Sequence, residues 1–221
     1  MATARPADTG AIADFVVEMS GGADVEVVET VFPEGGNAAS VAGLVEGFGR
    51  VVYFEVPWRS SFTTALDVLV AARAQSGRAL GAKVRCGGVM AEAFPPPDVL
   101  AAFLLACRDR RLPVKATAGL HHPFRHTDAA TGFIRHGFIN LLAASALAHG
   151  GADLAVLTEV LADTDPGDFS LEARGLTWRR RRVDAASLAA IRSDLFVGYG
   201  SCSFDEPVTD LAALGMLPVA S

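Results

Sequence analysis

Four short apolar runs, each rich in β-branched residues, constrain this chain more than any other feature. They are Val25–Phe32, Val51–Val56, Ala82–Cys86 and the segment from Pro113 to Gly119. Their starts fall about thirty residues apart, and between them apolar residues recur at helical spacing, an alternation that calls for right-handed crossovers and a parallel sheet. Asn37 is placed to cap a helix through Glu46. Phe62, Leu66, Leu69 and Val70 mark a second helix, and Leu100, Phe103, Leu104 and Cys107 a third. Period-2 parity puts Glu55, Lys83 with Arg85, and Lys115 with Thr117 on one face of three successive strands, while the other face is apolar. Parallel strands covered on both sides read as apolar on both faces, whereas a barrel interior tolerates charge near its strand ends. The expectation is therefore an α/β fold with a compact or irregular (β/α) barrel of parallel strands; the alternative is an open doubly wound parallel sheet. A regular eight-stranded (TIM) barrel takes about 250 residues, and this chain has 221.

Beyond the fourth strand the alternation loosens. Helices are expected from Phe138 to about Ala148 and from Leu154 through Leu161, then extended pieces at Phe169–Ala173 and Leu176–Trp178. Asp184 caps a helix through Ile191, Phe196–Phe204 reads as a late strand, and Pro207 fits the first turn of a last helix ending at Gly215. A degenerate unit is expected near residues 150 to 180. One domain over 1–221 suffices, with residues 1–23 as an N-terminal extension whose segment Ala11–Met19 is compatible with helix or strand.

Composition excludes several function classes. A net charge of −6 argues against a nucleic-acid partner, and Arg179–Arg182 reads as a solvated basic turn. Mean hydropathy is +0.33, but charges and glycines interrupt the apolar runs well short of the ~20 residues a spanning helix needs. The N-terminus lacks an apolar signal core, so a cytoplasmic location is expected. Cys86, Cys107 and Cys202 form no Cys-x-x-Cys pair and read as reduced thiols. No cofactor is implied, and the sequence leaves room for a homo-oligomer.

Seventeen of the nineteen basic residues are arginine; the two lysines are Lys83 and Lys115. Arginine serves at most surface sites, but only lysine supplies an amine that can lose its proton. Both lysines lie four residues before a glycine, which places them at one height on neighbouring strands. Two ammonium groups there, opposed by Glu55 alone, would repel and favour a neutral nucleophilic amine at Lys115. Glu55, followed by Arg59 just past the strand, suits proton transfer beside an anion-gripping guanidinium. A lysine–glutamate lattice that only fills the interior is the structural alternative.

The fourth strand opens into a loop holding three of the five histidines, His121, His122 and His126, with His136 ten residues later. They are candidate acids, bases or metal ligands, but the spacing matches no recognised ligand frame, so no metal is expected. Gly200-Ser201-Cys202-Ser203 lacks the two-glycine nucleophile-elbow pattern, and Cys202 has no base identifiable from sequence.

The motifs Lys83-Val84-Arg85-Cys86-Gly87-Gly88, Lys115-Ala116-Thr117-Ala118-Gly119-Leu120-His121-His122-Pro123 and Gly200-Ser201-Cys202-Ser203-Phe204-Asp205-Glu206-Pro207 together resemble an uncharacterised bacterial family to which no activity attaches. More distantly, a strand ending in Glu55 with Arg59 four residues on, plus a strand lysine, is similar to small class I aldolases of the barrel type. That similarity implies a Schiff-base lysine and a proton-handling glutamate, although the best lysine here lies on an earlier strand and the histidine loop has no counterpart. The resulting expectation is an aldolase- or lyase-like enzyme for a small anionic carbonyl compound. Lys115, Lys83, Glu55, His121 and His122 are its catalytic candidates, and Arg85, Arg59, Thr117 and His126 its substrate-binding candidates. The rival readings are a metal-dependent hydrolase or lyase built on His121, His122 and His126, and a non-catalytic binding barrel.

Overall fold

The computed structural model describes residues 1–19 and 24–217. The first half runs β1 (Ala2–Thr3), α1 (Thr9–Glu18), β2 (Val27–Val31), α2 (Ala38–Phe48), β3 (Val51–Glu55), α3 (Phe62–Ser76), β4 (Leu80–Arg85), α4 (Pro97–Asp109) and β5 (Val114–Thr117). A two-stranded ribbon, β6 (His126–Thr127) and β7 (Ile134–Arg135), leads to α5 (Phe138–His149) and α6 (Leu154–Ala162). Next come β8 (Phe169–Glu172), β9 (Gly175–Trp178), β10 (Arg181–Asp184), α7 (Ala185–Asp194), β11 (Phe196–Gly200) and α8 (Asp205–Ala213).

The main sheet has six parallel strands in the order β1-β2-β3-β4-β5-β11. It curls into a half-barrel whose edges, β1 and β11, do not pair with each other. The expectation of a closed barrel is corrected here: the sheet is open, as in the alternative reading. Where a further βα unit would continue the curl, the chain builds the antiparallel sheet β10-β9-β8 instead. This meander forms a separate sheet, so β11 enters beside β5 only after a long excursion. The two extended pieces at 169–178 are the first two strands of that meander.

Helix limits follow local chemistry. Asn37 Oδ1 accepts from Ser40 N–H, and Ser40 Oγ accepts from Asn37 N–H, both at 3.0 Å, a reciprocal box that opens α2. Asp153 and Asp184 accept from Val156 N–H and Ser187 N–H to start α6 and α7. Residues Ala11 to Glu18 are helical, within α1, while Ser20 to Gly22, which followed that segment in the sequence reading, lie outside the described residues. The basic run is exposed throughout, but Arg179 is tied down by surface ion pairs. Arg179 pairs with Asp168 at 2.8 Å, Asp163 at 3.1 Å and Glu159 at 3.3 Å, and Arg181 and Arg182 lie on β10.

The convex face carries Val28, Val52, Phe54, Ala82, Val84, Val114 and Ala116, all fully buried with Val41, Leu66, Leu69, Leu100 and Leu104 of the outer helices. The concave face carries Glu29, Tyr53, Glu55, Lys83, Arg85, Lys115 and Thr117, in register across β2 to β5. Gly81 occupies the base of that face. A Cβ there would stand 2.5 Å from both Pro113 O and Tyr53 Cε1, so glycine lets the Tyr53 ring lie flat across the sheet floor. Among the described residues, no helix is long and apolar enough to cross a membrane.

Two glycines give opposite expectations. Gly81→Ala should destabilise the protein by about 1–3 kcal/mol, through overpacking against backbone and a buried ring. Gly43→Ala lies in the middle of α2 with open space around its Cβ and should stabilise by about 0.5–1 kcal/mol. Urea unfolding of the two variants against the parent measures both.

Candidate functional site

The concave face is organised by four charged side chains. Lys83 Nζ lies 2.9 Å from Glu55 Oε2 and 3.1 Å from Glu29 Oε2; Lys115 Nζ lies 2.7 Å from Glu29 Oε1. Glu29 therefore accepts from both lysines, one at each oxygen, and its side chain is only 4 % exposed. Lys115 also stands 5.7 Å over the Tyr53 ring and donates to Met1 Sδ. Lys83 and Lys115 are register partners on β4 and β5, as their matched distance to glycine implied.

Glu29 changes the charge balance drawn from the sequence. Two cations meet two carboxylates, so the repulsion argued to favour a neutral Lys115 is cancelled. Burial alone would raise the Glu29 carboxyl, but hydrogen bonds and charge from Lys115 and Lys83 outweigh it and hold the group below the ordinary carboxylate range. The signal for Glu29 was in the sequence. Val31 pairs with Glu55, so Glu29 lies on the polar face two residues earlier, and the parity carried through three strands extends to this fourth one.

Two clefts open at the C-terminal ends of the strands and share Gly88. The larger, about 720 Å³, is lined by Glu55, Trp58, Arg59 and Arg85 among others. Arg59 stacks on Trp58 at 5.0 Å, and Arg85 Nε donates to Gly87 O at 3.0 Å. Neither guanidinium is in an ion pair among the described residues. The smaller cleft, about 410 Å³, is lined by Met1, Glu29, Thr117, His121, Arg135 and Cys202 among others. Thr117 Oγ1 is buried there without a hydrogen-bond partner. Next to it Ala118 takes a left-handed conformation at φ 66°, which costs a side-chain-bearing residue about 1–3 kcal/mol.

The histidine loop divides. His121 Nδ1 is 2.7 Å from Glu206 Oε2, and its Nε2 is 3.4 Å from Cys202 Sγ. His122 Nδ1 is 2.6 Å from Asp210 Oδ2, one turn further along α8. His126 Nδ1 donates to Phe124 O at 2.9 Å, and its ring stands edge-on to His122 at 4.5 Å. His122 and His126 line neither of the two clefts, so the structure brings Glu55, Arg59 and Arg85 together in one and Thr117 and His121 in the other. No group of three or more His, Cys, Asp or Glu is arranged to hold a metal ion among the described residues. Each imidazole has an acceptor of its own. Glu206 and the base for Cys202 escaped the sequence reading because His121 and α8 are 80-odd residues apart in the chain, although all three residues fall within the quoted motifs.

His136 is structural. Its Nε2 donates to Pro95 O at 2.7 Å and its Nδ1 accepts from Arg125 at 3.2 Å. Burial pushes it down to about 4, with the Pro95 bond opposing and Arg125 adding to that shift.

Glu29 makes a pH prediction with a definite sign. Its folded carboxyl is held below the value it has in the unfolded chain, so its contribution is full above the unfolded value. It is lost as pH falls through the folded one. Glu29→Gln should lose about 3–5 kcal/mol at neutral pH, because it leaves Lys115 without a carboxylate and Lys83 with Glu55 alone. The gap to the parent should narrow only at pH values below the ordinary carboxylate range, as chemical denaturation along a pH series measures.

No family profile, curated relative or solved structure matches this chain, so the functional reading rests on the geometry above.

Proposed function

We propose that the protein is an enzyme acting on a small anionic carbonyl compound at the C-terminal mouth of the half-barrel. The observation that carries this reading is the pair Arg59 and Arg85, which line the same cleft as Glu55 without carboxylate partners among the described residues. Guanidinium groups not engaged with protein carboxylates suit a carboxylate or phosphate through paired N–H donors. The cleft lies where parallel α/β sheets place their ligands, beyond the carboxyl ends of the strands.

With the anion on the arginines, the row of charges beneath defines what the carbonyl meets. Lys115 and Lys83 line neither cleft and act through Glu29 and Glu55, which do; the positive charge they fix beneath these carboxylates favours oxygen as it becomes negative in an aldolase- or lyase-like step. Glu55 is the better placed proton carrier in the larger cleft and His121 in the smaller one. Imine formation would require Lys115 to pass its proton to Glu29. The lysines hold that carboxyl below its usual range, which makes it a weak acceptor, so the ammonium role is favoured over the Schiff base. His122 and His126, held by Asp210 and the Phe124 carbonyl, support the loop in this reading.

A panel of small 2-keto acids, aldehydes and simple carboxylates tests it by calorimetry. The anionic carbonyl compounds should bind, and Arg85→Met or Arg59→Met should weaken binding about tenfold or more, the loss expected for one charge-assisted contact. Borohydride with the same panel should leave Lys115 unmodified; an adduct at Lys115 would assign it the imine role instead. Binding that is indifferent to both arginines would remove the anionic-substrate reading. Binding without turnover of any panel member would favour a ligand-binding half-barrel.

A further inference from the structure

Cys202 lines the smaller cleft where strand β11 gives way to helix α8, four residues before Glu206. It is exposed, in contrast to the fully buried Cys86 and Cys107. Its Sγ is 3.4 Å from His121 Nε2, and His121 Nδ1 is 2.7 Å from Glu206 Oε2. A thiol, an imidazole and a carboxylate thus stand in line on three separate segments: the loop after β11, the loop after β5 and the first turn of α8. The carboxylate selects the tautomer with the proton on Nδ1 and leaves Nε2 free to accept from the thiol, the relationship that activates nucleophiles on unrelated folds.

Three further observations surround the sulfur. The cleft of about 410 Å³ is lined by both Cys202 and His121, so a reacting group has room beside the pair. Thr117, on the neighbouring strand and in register with Gly200, lines the same cleft. A side chain at Gly200 would press within 3.3 Å of the Thr117 methyl, so glycine keeps that wall thin.

We propose that Cys202, His121 and Glu206 form a nucleophilic triad that accepts acyl groups from small esters or thioesters. His121 Nε2 takes the thiol proton as Sγ adds to the acyl carbon, and the carbonyl electron pair moves onto oxygen. Collapse re-forms the carbonyl and expels the alcohol or thiol, which leaves with the proton from His121. Water then attacks the thioester while His121 takes its proton, the C–S bond breaks, and Sγ recovers a proton. The sum is ester plus water giving acid plus alcohol, with no oxidant or metal required. The triad goes beyond the reading above because it needs neither arginine and neither lysine, although both draw on the His121 imidazole.

The test is acylation of the full chain by p-nitrophenyl acetate, which is neutral and therefore blind to the arginine cleft. The expected result is an acetyl group located by peptide mass at Cys202, formed much faster than on glutathione at the same pH. Cys86, whose thiol burial pushes up to about 12, and Cys107, raised further by burial, should remain unmodified in the folded protein. His121→Ala should slow the acylation about a hundredfold or more, the loss typical of a general base, and Glu206→Gln should slow it less while leaving the fold intact. Acylation no faster than that of glutathione, or an unchanged rate in both variants, would overturn the triad. p-Nitrophenyl hemisuccinate separates the two proposals: a rate above that of the acetate that falls in Arg85→Met joins the triad to the anionic cleft. Equal rates leave the triad standing as a site separate from the arginine cleft, whose anion binding the calorimetry tests.

Discussion

The contact between Lys115 and Glu29 fixes the shape of this protein. Their strands, β5 and β2, are separated by β4 and β3, which in a flat sheet would hold the two backbones about 14 Å apart. The amine and the carboxylate nonetheless meet at 2.7 Å, so the sheet must bend towards its polar face. The same bend brings Lys83 to Glu29 across one intervening strand and lays Met1, just before β1, against Lys115. Tyr53 over Gly81 fills the floor beneath. Curl, charge lattice and cleft are therefore one construction, and Glu29 is its common point.

A closed barrel would satisfy the same lattice, yet the sheet stops at six strands. β1 has two residues and β11 enters with a register irregularity between Phe196 and Gly198. The two-residue β1 edge is too short to pair along β11 and complete a cylinder. The open seam leaves the smaller cleft accessible: Met1 lies on one side of it and Gly200 to Cys202 on the other. Closure would have filled that space with side chains, as compact barrels do.

Much of this was readable from residue order alone, for physical reasons particular to each element. Parallel strands with one oily face announce themselves through parity, and Asn37, Asp184 and Pro207 mark helix starts through local hydrogen bonding or a fixed φ. The shared height of Lys83 and Lys115 followed from their distance to a strand-ending glycine. Glu29 was equally readable but sits among valines in a run whose β-propensity drew the attention. What parity cannot convey is curvature, and hence that side chains three strands apart touch. The pairing of His121 with Glu206 and of His122 with Asp210 depends on where α8 docks after the meander, a tertiary outcome with no local signal.

The most direct measurement of this account is a double-mutant cycle between Glu29 and Lys115, using Glu29→Gln, Lys115→Met and the double variant in urea unfolding. Side chains in contact and buried in one network should couple, here by about 2 kcal/mol, whereas distant independent sites add. A coupling of that size would support the lattice as the interaction that holds the curl. Losses that simply add, with coupling within error of zero, would contradict it.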